Sequence, residues 1–264
     1  MATATNPARA LPPNEFRQIL GVNFFTGTAA EAVDRISTGG LLVVPAAPAL
    51  KDLNSNLAYR EALLEADLAI TDSAFMVLIW NRLDNNRITR LSGLAYLREL
   101  LGRTEVKQPG NTLWIMAGHQ SANRNAGWLC ARGIHVSSGE MYIAPIYEGD
   151  VSDPALLALL RVKRPKHIIV TLGGGTQERL GLYLKRNLDF APAIHCIGAA
   201  IAFLSGDQVR IPEWADRWYL GWLFRCFSDP KRYVARYWSA RKLLPLMVRY
   251  RRGLPPCEPL PNQK

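Results

Sequence analysis

Short apolar runs alternate with segments of helical periodicity between residues 28 and 197. Apolar runs of this kind are typical of buried strands, and apolar positions spaced by three and four are typical of helices. The predicted strands are 41–44, 68–70, 113–117, 134–136, 167–172 and 194–197, and the predicted helices are 28–37, 53–65, 73–82, 94–101, 122–132, 154–162 and 177–188. This alternation predicts an α/β fold, a Rossmann-like parallel sheet with crossover helices.

The pattern changes after residue 211, where two helices are predicted with no strand between them, at 213–227 and 230–252. Asp229 before Pro230 is a favourable helix start, because Asp accepts from free N–H groups and proline lacks one. Pro245 is expected to kink the second helix. The predicted units are a flexible N-terminal arm (1–20), an α/β domain for any catalytic site (21–208), a basic amphipathic helical appendage (209–252) and a disordered tail (253–264).

Most of the net charge lies near the C-terminus. The chain has 264 residues and a formal net charge of +10, and residues 210–252 hold eleven basic and three acidic side chains, a local balance of +8. This asymmetry marks a surface for phosphates on a soluble ligand, on lipid head groups or on nucleic acid. The four cysteines form no CxxC pair, and we see neither a signal peptide nor a membrane-spanning apolar stretch. We expect a cytosolic protein that can lie on a membrane without crossing it.

Asp72 closes the predicted strand 68–70 and precedes the predicted helix 73–82. Ligands of open α/β sheets bind beyond the carboxyl ends of the strands, where a carboxylate can act as a general base. An Asp before a helix is more often an N-cap, however, and from the residues alone that interpretation is favoured.

The glycine-rich segment 172–178 closes the strand 167–172 and contains Gln177. Its three glycines allow the backbone to approach a ligand closely, but it is neither a Walker loop nor a dinucleotide-binding fingerprint. A tight strand-to-helix turn explains it equally well. Residues 198–206 form a third strand end rich in small residues, for which close helix packing is the better interpretation.

Several kinds of catalytic site have no support in the sequence. The four histidines lack metal-ligand spacing, and no Gly-x-Ser-x-Gly nucleophile elbow is present. We predict no metal and no cofactor. The chain also lacks the Asp-x-Asp with which many sugar-nucleotide transferases hold a divalent metal. If this protein handles a diphosphate, arginine or lysine must therefore balance that charge.

An ordered set of short motifs runs through residues 21–252. The motifs are 59–63 (Tyr-Arg-Glu-Ala-Leu), 66–68 (Ala-Asp-Leu) with Asp72, Ser92-Gly93, 116–118 (Met-Ala-Gly), Leu172-Gly173 with Gln177-Glu178, 198–206, and 222–225 (Trp-Leu-Phe-Arg) with 229–232 (Asp-Pro-Lys-Arg). This set resembles the WecG/TagA/CpsF family of bacterial glycosyltransferases. The last pair resembles the family's EWLYRL…PKR signature. No single piece decides the matter, but their order is specific.

This resemblance implies an inverting, metal-independent transfer of a hexose from a UDP-sugar to a polyprenyl-diphosphate-linked sugar. Asp72 matches the family's catalytic base and Gln177 its active-site glutamine. The C-terminal helices would bind an anionic membrane surface and close over the site, which places the protein peripherally on the cytoplasmic face of the inner membrane, with homo-oligomers possible. Substrate contacts are predicted at Ser92, Gly93, Gly118, Gly173, Gly174, Gly198, Arg210, Arg217, Arg225, Lys231 and Arg232.

The chain departs from the family pattern where polar sugar contacts are expected. Residues 44–48 read Val-Pro-Ala-Ala-Pro in place of Asn-Thr-x-Asn-Pro, and Ser73, Ala95 and residues 201–203 (Ile-Ala-Phe) also differ. These losses favour a neutral hexose such as glucose, used in exopolysaccharide synthesis, over N-acetylmannosamine. An N-acetylmannosaminyl-type transferase of the same family is the alternative.

Two further alternatives remain open. The depleted pocket, especially Ala47 and Ala202, also fits a protein that binds a UDP-sugar without turnover. The basic, aromatic C-terminal region fits stacking on nucleic-acid bases. Its tryptophans at helical spacing fit a membrane interface or internal packing at least as well, so we predict no nucleic-acid partner.

Overall fold

A computed structural model of the protein describes residues 15–206 and 221–257. Eight strands form one sheet, in the order β1-β2-β4-β3-β8-β7-β5-β6, and every pairing is parallel except that of β1 with β2. The strands are β1 (Phe16–Ile19), β2 (Val22–Phe25), β3 (Gly40–Val43), β4 (Leu68–Ile70), β5 (Thr112–Met116), β6 (Met141–Ile143), β7 (His167–Val170) and β8 (Ala193–Cys196). The predicted Rossmann-like α/β class is therefore confirmed.

Helices cover both faces of the sheet. As a result, β4, β5, β7 and β8 are buried at every position. The helices of the α/β domain are α1 (Ala29–Ile36), α2 (Ala47–Leu50), α3 (Leu57–Leu64), α4 (Ala74–Leu83), α5 (Gly93–Gly102), α6 (Thr104–Lys107), α7 (His119–Cys130), α8 (Pro154–Lys163), α9 (Thr176–Asn187) and α10 (Ala200–Ser205). Two hydrophobic clusters result, one on each side of the sheet.

Two predicted elements of the α/β domain differ in the structure. The predicted helix 53–65 is shorter, because residues 51–55 form turns and α3 begins at Leu57. Asn56 caps α3 by accepting from Tyr59 N at 3.0 Å. The predicted strand 134–136 is not a strand. Gly133 has a φ of +74° and turns the chain, so that Ile134 N donates back to Leu129 O of α7. The edge strand is β6 instead, which pairs with β5.

The last residues of the predicted flexible N-terminal arm, 16–19, form a strand. Residues 1–14 lie outside the described part of the chain, but β1 pairs with β2 as an antiparallel hairpin at the sheet edge. Its turn, Leu20 and Gly21, has φ angles of +50° and +79°. Left-handed geometry at a leucine is rare, and each strand has only four residues, so the sequence carries a weak hairpin signal.

The C-terminal appendage is helical in its described part, which confirms that prediction. It contains α11 (Gly221–Ser228), α12 (Pro230–Ser239), a 3₁₀ turn (Ala240–Lys242) and α13 (Leu243–Tyr250). Helix α12 starts at Pro230, as predicted. The expected kink lies in the 3₁₀ turn, just before Pro245, because Pro245 has no N–H to donate to the carbonyl of Arg241.

The first residues of the predicted disordered tail are ordered against the body of the protein. Leu20 N and Gly21 N donate to the carbonyls of Arg251 and Arg252 at 2.8 and 3.0 Å. Arg60 donates to the carbonyl of Pro255, which is buried. Residues 251–255, here called the C-terminal strap, thus fix the end of α13 to the β1–β2 hairpin. The remainder of the predicted tail, 258–264, lies outside the described residues.

Candidate active site

Five strand ends that the sequence singled out meet at the carboxyl edge of the sheet. In spatial order they follow β4, β3, β8, β7 and β5. They carry Asp72, residues 45–48, Gly198, the glycine-rich turn 172–175 and Gly118, respectively. In parallel α/β sheets this edge is where ligands bind.

Asp72 is not a helix cap. Ser73 has that role, because its hydroxyl accepts from Met76 N at 3.2 Å at the start of α4. Asp72 Oδ1 instead accepts from Gly93 N at 2.9 Å, and the side chain is 26% exposed. The Asp72 carboxylate is therefore not occupied by the helix N–H groups and is accessible to a ligand.

Arg90 holds Asp72 from a second direction. Its Nε donates to the Asp72 carbonyl oxygen at 2.6 Å, and a terminal nitrogen lies 3.4 Å from Oδ1. All hydrogen bonds from the described residues to this carboxylate fall on Oδ1. The backbone and Oδ1 are thereby fixed, and Oδ2 is left for a proton transfer.

Thr71 explains why Arg90 lies there. Its hydroxyl is fully buried, donates to Thr89 O at 2.8 Å and accepts from Leu91 N at 3.0 Å. These two hydrogen bonds fix the backbone on either side of Arg90. No local sequence pattern predicts the role of Arg90, since it reaches Asp72 from a loop 18 positions later.

A cavity of about 570 Å³ separates Asp72 from the appendage. This volume is within the range of small-molecule sites. Asp72, Ser73 and Arg90 line one side and residues 46–48 another. The appendage supplies the opposite wall: Trp222, Leu223, Cys226, Val234, Tyr237, Trp238, Ala240 and Arg241. The apolar stretch expected from the sequence at 46–48 therefore does face Asp72.

Gln177 lies in the first turn of α9, after β7, and is 2% exposed. Its Nε2 donates to Glu178 Oε1 at 3.1 Å, and its Oε1 has no hydrogen-bond partner among the described residues. A Cβ added to Gly198 would lie 3.4 Å from Nε2 and 3.5 Å from Oε1. These are ordinary contact distances, but Gly198 also has a φ of +59°, so the turn itself favours glycine there.

Glu178 is a carboxylate that the sequence did not identify as part of the site. It is fully buried and accepts from Gly175 N at 2.6 Å as well as from Gln177. Burial raises the pKa of Glu178 to about 7, against the lowering effect of these hydrogen bonds and of Arg179. The group therefore changes charge near neutral pH.

Asp72 and Gln177 are not in direct contact. Strands β3 and β8 lie between β4 and β7, and three strand spacings separate the two strands by about 14 Å. The two residues thus address different parts of any ligand that spans the edge.

The glycines predicted to contact substrate fall into two groups. Gly118, Gly173 and Gly174 have open space where a side chain would be, or only a distant neighbour. Gly93 instead serves Asp72, and Ser92 caps α5 by accepting from Ala95 N at 3.1 Å. Substrate contacts at all of these positions stay predictions, and for Ser92 and Gly93 the structure shows a positioning role.

The basic residues are only partly described. Arg210 and Arg217 lie outside the described residues, and the side chains of Arg225 and Arg232 do too, although both belong to described helices. Lys231 is exposed on α12. The sequence missed Arg236, one turn after Arg232. Its guanidinium lies 3.9 Å from the position of a Cβ added to Gly174, so it overhangs the glycine-rich turn.

Within residues 15–206 and 221–257, no cluster of three or more His, Cys, Asp or Glu side chains is arranged to hold a metal ion. Metal independence remains a prediction. In the same part of the chain, no helix combines the length and apolarity needed to cross a bilayer.

Comparison with known proteins agrees with the motif order. Residues 17–255 match the model of the glycosyl transferase WecG/TagA/CpsF family. A Bacillus subtilis (strain 168) protein named N-acetylglucosaminyldiphosphoundecaprenol N-acetyl-beta-D-mannosaminyltransferase is 27% identical over 178 residues, 66% of each chain and so just under two thirds of that relative. A Bacillus spizizenii protein of the same name is 22% identical over 218 residues, 81% of each chain. Because the family match includes the Asp72 turn, the Gln177 turn and the appendage helices, the chain belongs to the WecG/TagA/CpsF family of glycosyltransferases.

Proposed function

We propose that this protein transfers a sugar from a UDP-sugar to a polyprenyl-diphosphate-linked sugar, with Asp72 as the general base. The observation that carries the proposal is the placement of Asp72, which is fixed by Gly93 and Arg90 and lines the cavity under the appendage. Both curated relatives are named as N-acetylmannosaminyltransferases that act on an N-acetylglucosaminyl-diphospho-undecaprenol. They favour an N-acetylmannosaminyl-type donor, the alternative from the sequence, over the neutral hexose.

In the proposed mechanism, Asp72 Oδ2 takes the proton of an acceptor hydroxyl. The hydroxyl oxygen bonds to the anomeric carbon as the bond from that carbon to the diphosphate breaks, and UDP leaves. Attack opposite the leaving group inverts the anomeric configuration. Arg90 and Gly93 hold the carboxylate in place, so that little reorganisation is needed at the moment of transfer.

The negative charge of the departing diphosphate needs a partner. Arg236 lies above the glycine-rich turn, and Lys231 is exposed on the same helix. Arginine and lysine neutralise phosphate charge without a metal, which supports metal-independent transfer.

We propose that the appendage binds an anionic membrane surface on the cytoplasmic side, where a polyprenyl acceptor is held. Its helices expose large apolar side chains, with Phe227 at 77% and Trp238 at 67%, among basic residues. Helices with this composition bind at the lipid interface through apolar burial and charge attraction. Flotation with anionic liposomes, compared with neutral liposomes, tests this point.

A neutral hexose such as glucose is the second candidate donor. It is favoured by the apolar segment 46–48, which forms one wall of the Asp72 cavity and has no side-chain hydrogen-bond donor for an acetamido group.

The test is a screen of labelled UDP-sugars against a polyprenyl-diphosphate-linked N-acetylglucosamine, in EDTA. We expect transfer from UDP-N-acetylmannosamine, at a rate about 10²–10⁴-fold lower for Asp72→Asn. Transfer from UDP-glucose alone would establish the second candidate. Binding of UDP-sugars without transfer to any acceptor would contradict both candidates.

A further inference from the structure

Glu178 is the one fully buried carboxylate among the described residues that the transfer mechanism leaves unused. The groups that face it are Tyr59 from α3, Cys196 from β8 and, on its own helix, Arg179. Burial raises the pKa of Tyr59 and of Cys196 well above their usual values, so both are neutral near pH 7. Asp52 lies beyond Tyr59 and raises its pKa further.

The two oxygens of Glu178 have separate partners. One accepts from Gly175 N at 2.6 Å, which fixes the glycine-rich turn, and the other accepts from Gln177 Nε2 at 3.1 Å. An ionised carboxylate is an acceptor only. Reversing the Gln177 amide would place its oxygen against a carboxylate oxygen, so the charge on Glu178 selects one orientation of that amide.

This orientation determines what Gln177 offers to a ligand. Its Nε2 is engaged, whereas its Oε1 is buried beside Gly198 and makes no hydrogen bond with the described residues. A buried carbonyl oxygen without a partner is unfavourable, and a ligand group that donates to it removes that penalty.

We propose that Glu178 is a positioning residue for specificity, which holds the Gln177 amide so that Oε1 accepts a hydrogen bond from a hydroxyl or imide N–H of the nucleotide. This rests on the proposed function for the identity of the nucleotide. The roughly 14 Å between the Asp72 and Gln177 strands assigns Gln177 to the part of the donor away from the reacting sugar.

Protonation gives the proposal a signature that a purely structural role lacks. With the pKa of Glu178 near 7, acidification protonates the carboxyl. A neutral carboxyl can donate to Gln177 Oε1, and both amide orientations then become populated. UDP affinity should therefore fall by about threefold below pH 7, because only part of the protein remains competent to bind.

The experiment is calorimetric titration of the full-length protein with UDP between about pH 6 and pH 8.5, the range around this pKa. At high pH, Gln177→Leu should weaken UDP binding about tenfold, and Glu178→Gln, which imitates the protonated carboxyl, about threefold. The double variant should bind UDP no more weakly than Gln177→Leu alone. The UDP affinity of Gln177→Leu should show only the pH dependence that comes from ionisation of UDP itself. The ligands 2′-deoxy-UDP and N3-methyl-UDP distinguish a ribose hydroxyl from the imide N–H. The ligand that lacks the group bound by Gln177 should bind more weakly than UDP to the wild type, but as tightly as UDP to Gln177→Leu.

Glu31→Gln is the matched control. Glu31 occupies the same position in the first turn of α1 as Glu178 does in α9, and it accepts from Thr28 N at 2.8 Å. Helix α1 follows β2, which lies far from β7 in the sheet. It should change UDP affinity by less than about twofold. If Glu178→Gln is too unstable to use, the pH profile of wild type against Gln177→Leu decides alone.

Parallel pH profiles for wild type and Gln177→Leu would overturn the proposal, as would wild-type affinity in a folded Glu178→Gln protein. Normal sugar transfer together with either result would show that only the positioning role fails. If both variants lose UDP affinity as expected but the wild type transfers no sugar, the positioning role holds and the proposed transfer function fails. Absence of UDP binding by the wild type would overturn both.

Discussion

Asp72 and Glu178 each lie near the end of a buried parallel strand at the same edge of the sheet, yet their surroundings differ. Asp72 is partly exposed, has a guanidinium beside it and lines a cavity. Glu178 is fully buried, and its hydrogen bonds come from an amide side chain and a backbone N–H. The comparison shows that position at the edge does not assign a role. A base needs access to a substrate hydroxyl, whereas a positioning carboxylate needs fixed partners.

The sharpest way to separate the two carboxylates is to neutralise the exposed one. Asp72→Asn should lower kcat by about 10²–10⁴-fold, the usual contribution of a general base, with little change in stability. Asp67→Asn is the control, because Asp67 belongs to the same motif but accepts from Leu41 N and pairs with Lys185. Initial rates of sugar transfer measure the effect. Full activity of Asp72→Asn would refute its role as base.

Neutralising the buried carboxylate should instead appear in stability. In the folded protein Glu178 keeps its proton up to about pH 7, while in the unfolded chain it loses it near 4.5. Folding stability contributed by this group therefore decreases as pH rises through that window, by on the order of 3 kcal/mol. Urea unfolding at several pH values should show Glu178→Gln gaining stability relative to wild type as pH rises.

The difference in the free energy of unfolding between wild type and Glu178→Gln at each pH removes the opposite contribution of the buried histidines. Burial lowers the pKa of His195 and of His167, so their contribution is lost as pH falls through their unfolded value near 6.5. A difference between wild type and variant that does not change with pH would contradict an elevated pKa for Glu178.

A smaller effect should come from the residue that orients Asp72. Arg90→Ala removes the contacts to the Asp72 backbone and carboxylate, and we expect kcat to fall about tenfold with a smaller change in KM. Arg87→Ala is a suitable control, since Arg87 is exposed on the same loop. An equal loss in both variants would mean that the loop, and not its guanidinium, matters.

The smallest expected effect is that of the cation above the glycine-rich turn. Arg236→Ala should raise the Kd for UDP about threefold, and added salt should reduce the difference, because the contact is an exposed charge. Arg249→Ala removes an appendage arginine that lies over the Tyr250 ring and should leave the Kd unchanged. An unchanged Kd for Arg236→Ala would assign diphosphate recognition to other cations.

The sequence predicted the parallel sheet and the strand ends of Asp72 and Gln177 because apolar runs and glycines act locally. It overestimated capping by Asp72, since the neighbouring Ser73 competes for the same helix N–H groups and caps α4. Arg90 could not be found because Thr71 brings it to Asp72 from a distant loop. The burial of Glu178 likewise depends on α3 and β8, which the residues around it do not reveal.

The C-terminal strap makes the appendage a closed loop of chain instead of a free end. One end of the appendage continues from the α/β domain, and the other is held at Leu20, Gly21 and Arg60. An element attached at both ends stays at a high effective concentration near the site. The second attachment therefore restricts how far the appendage helices can move from the cavity wall that they form.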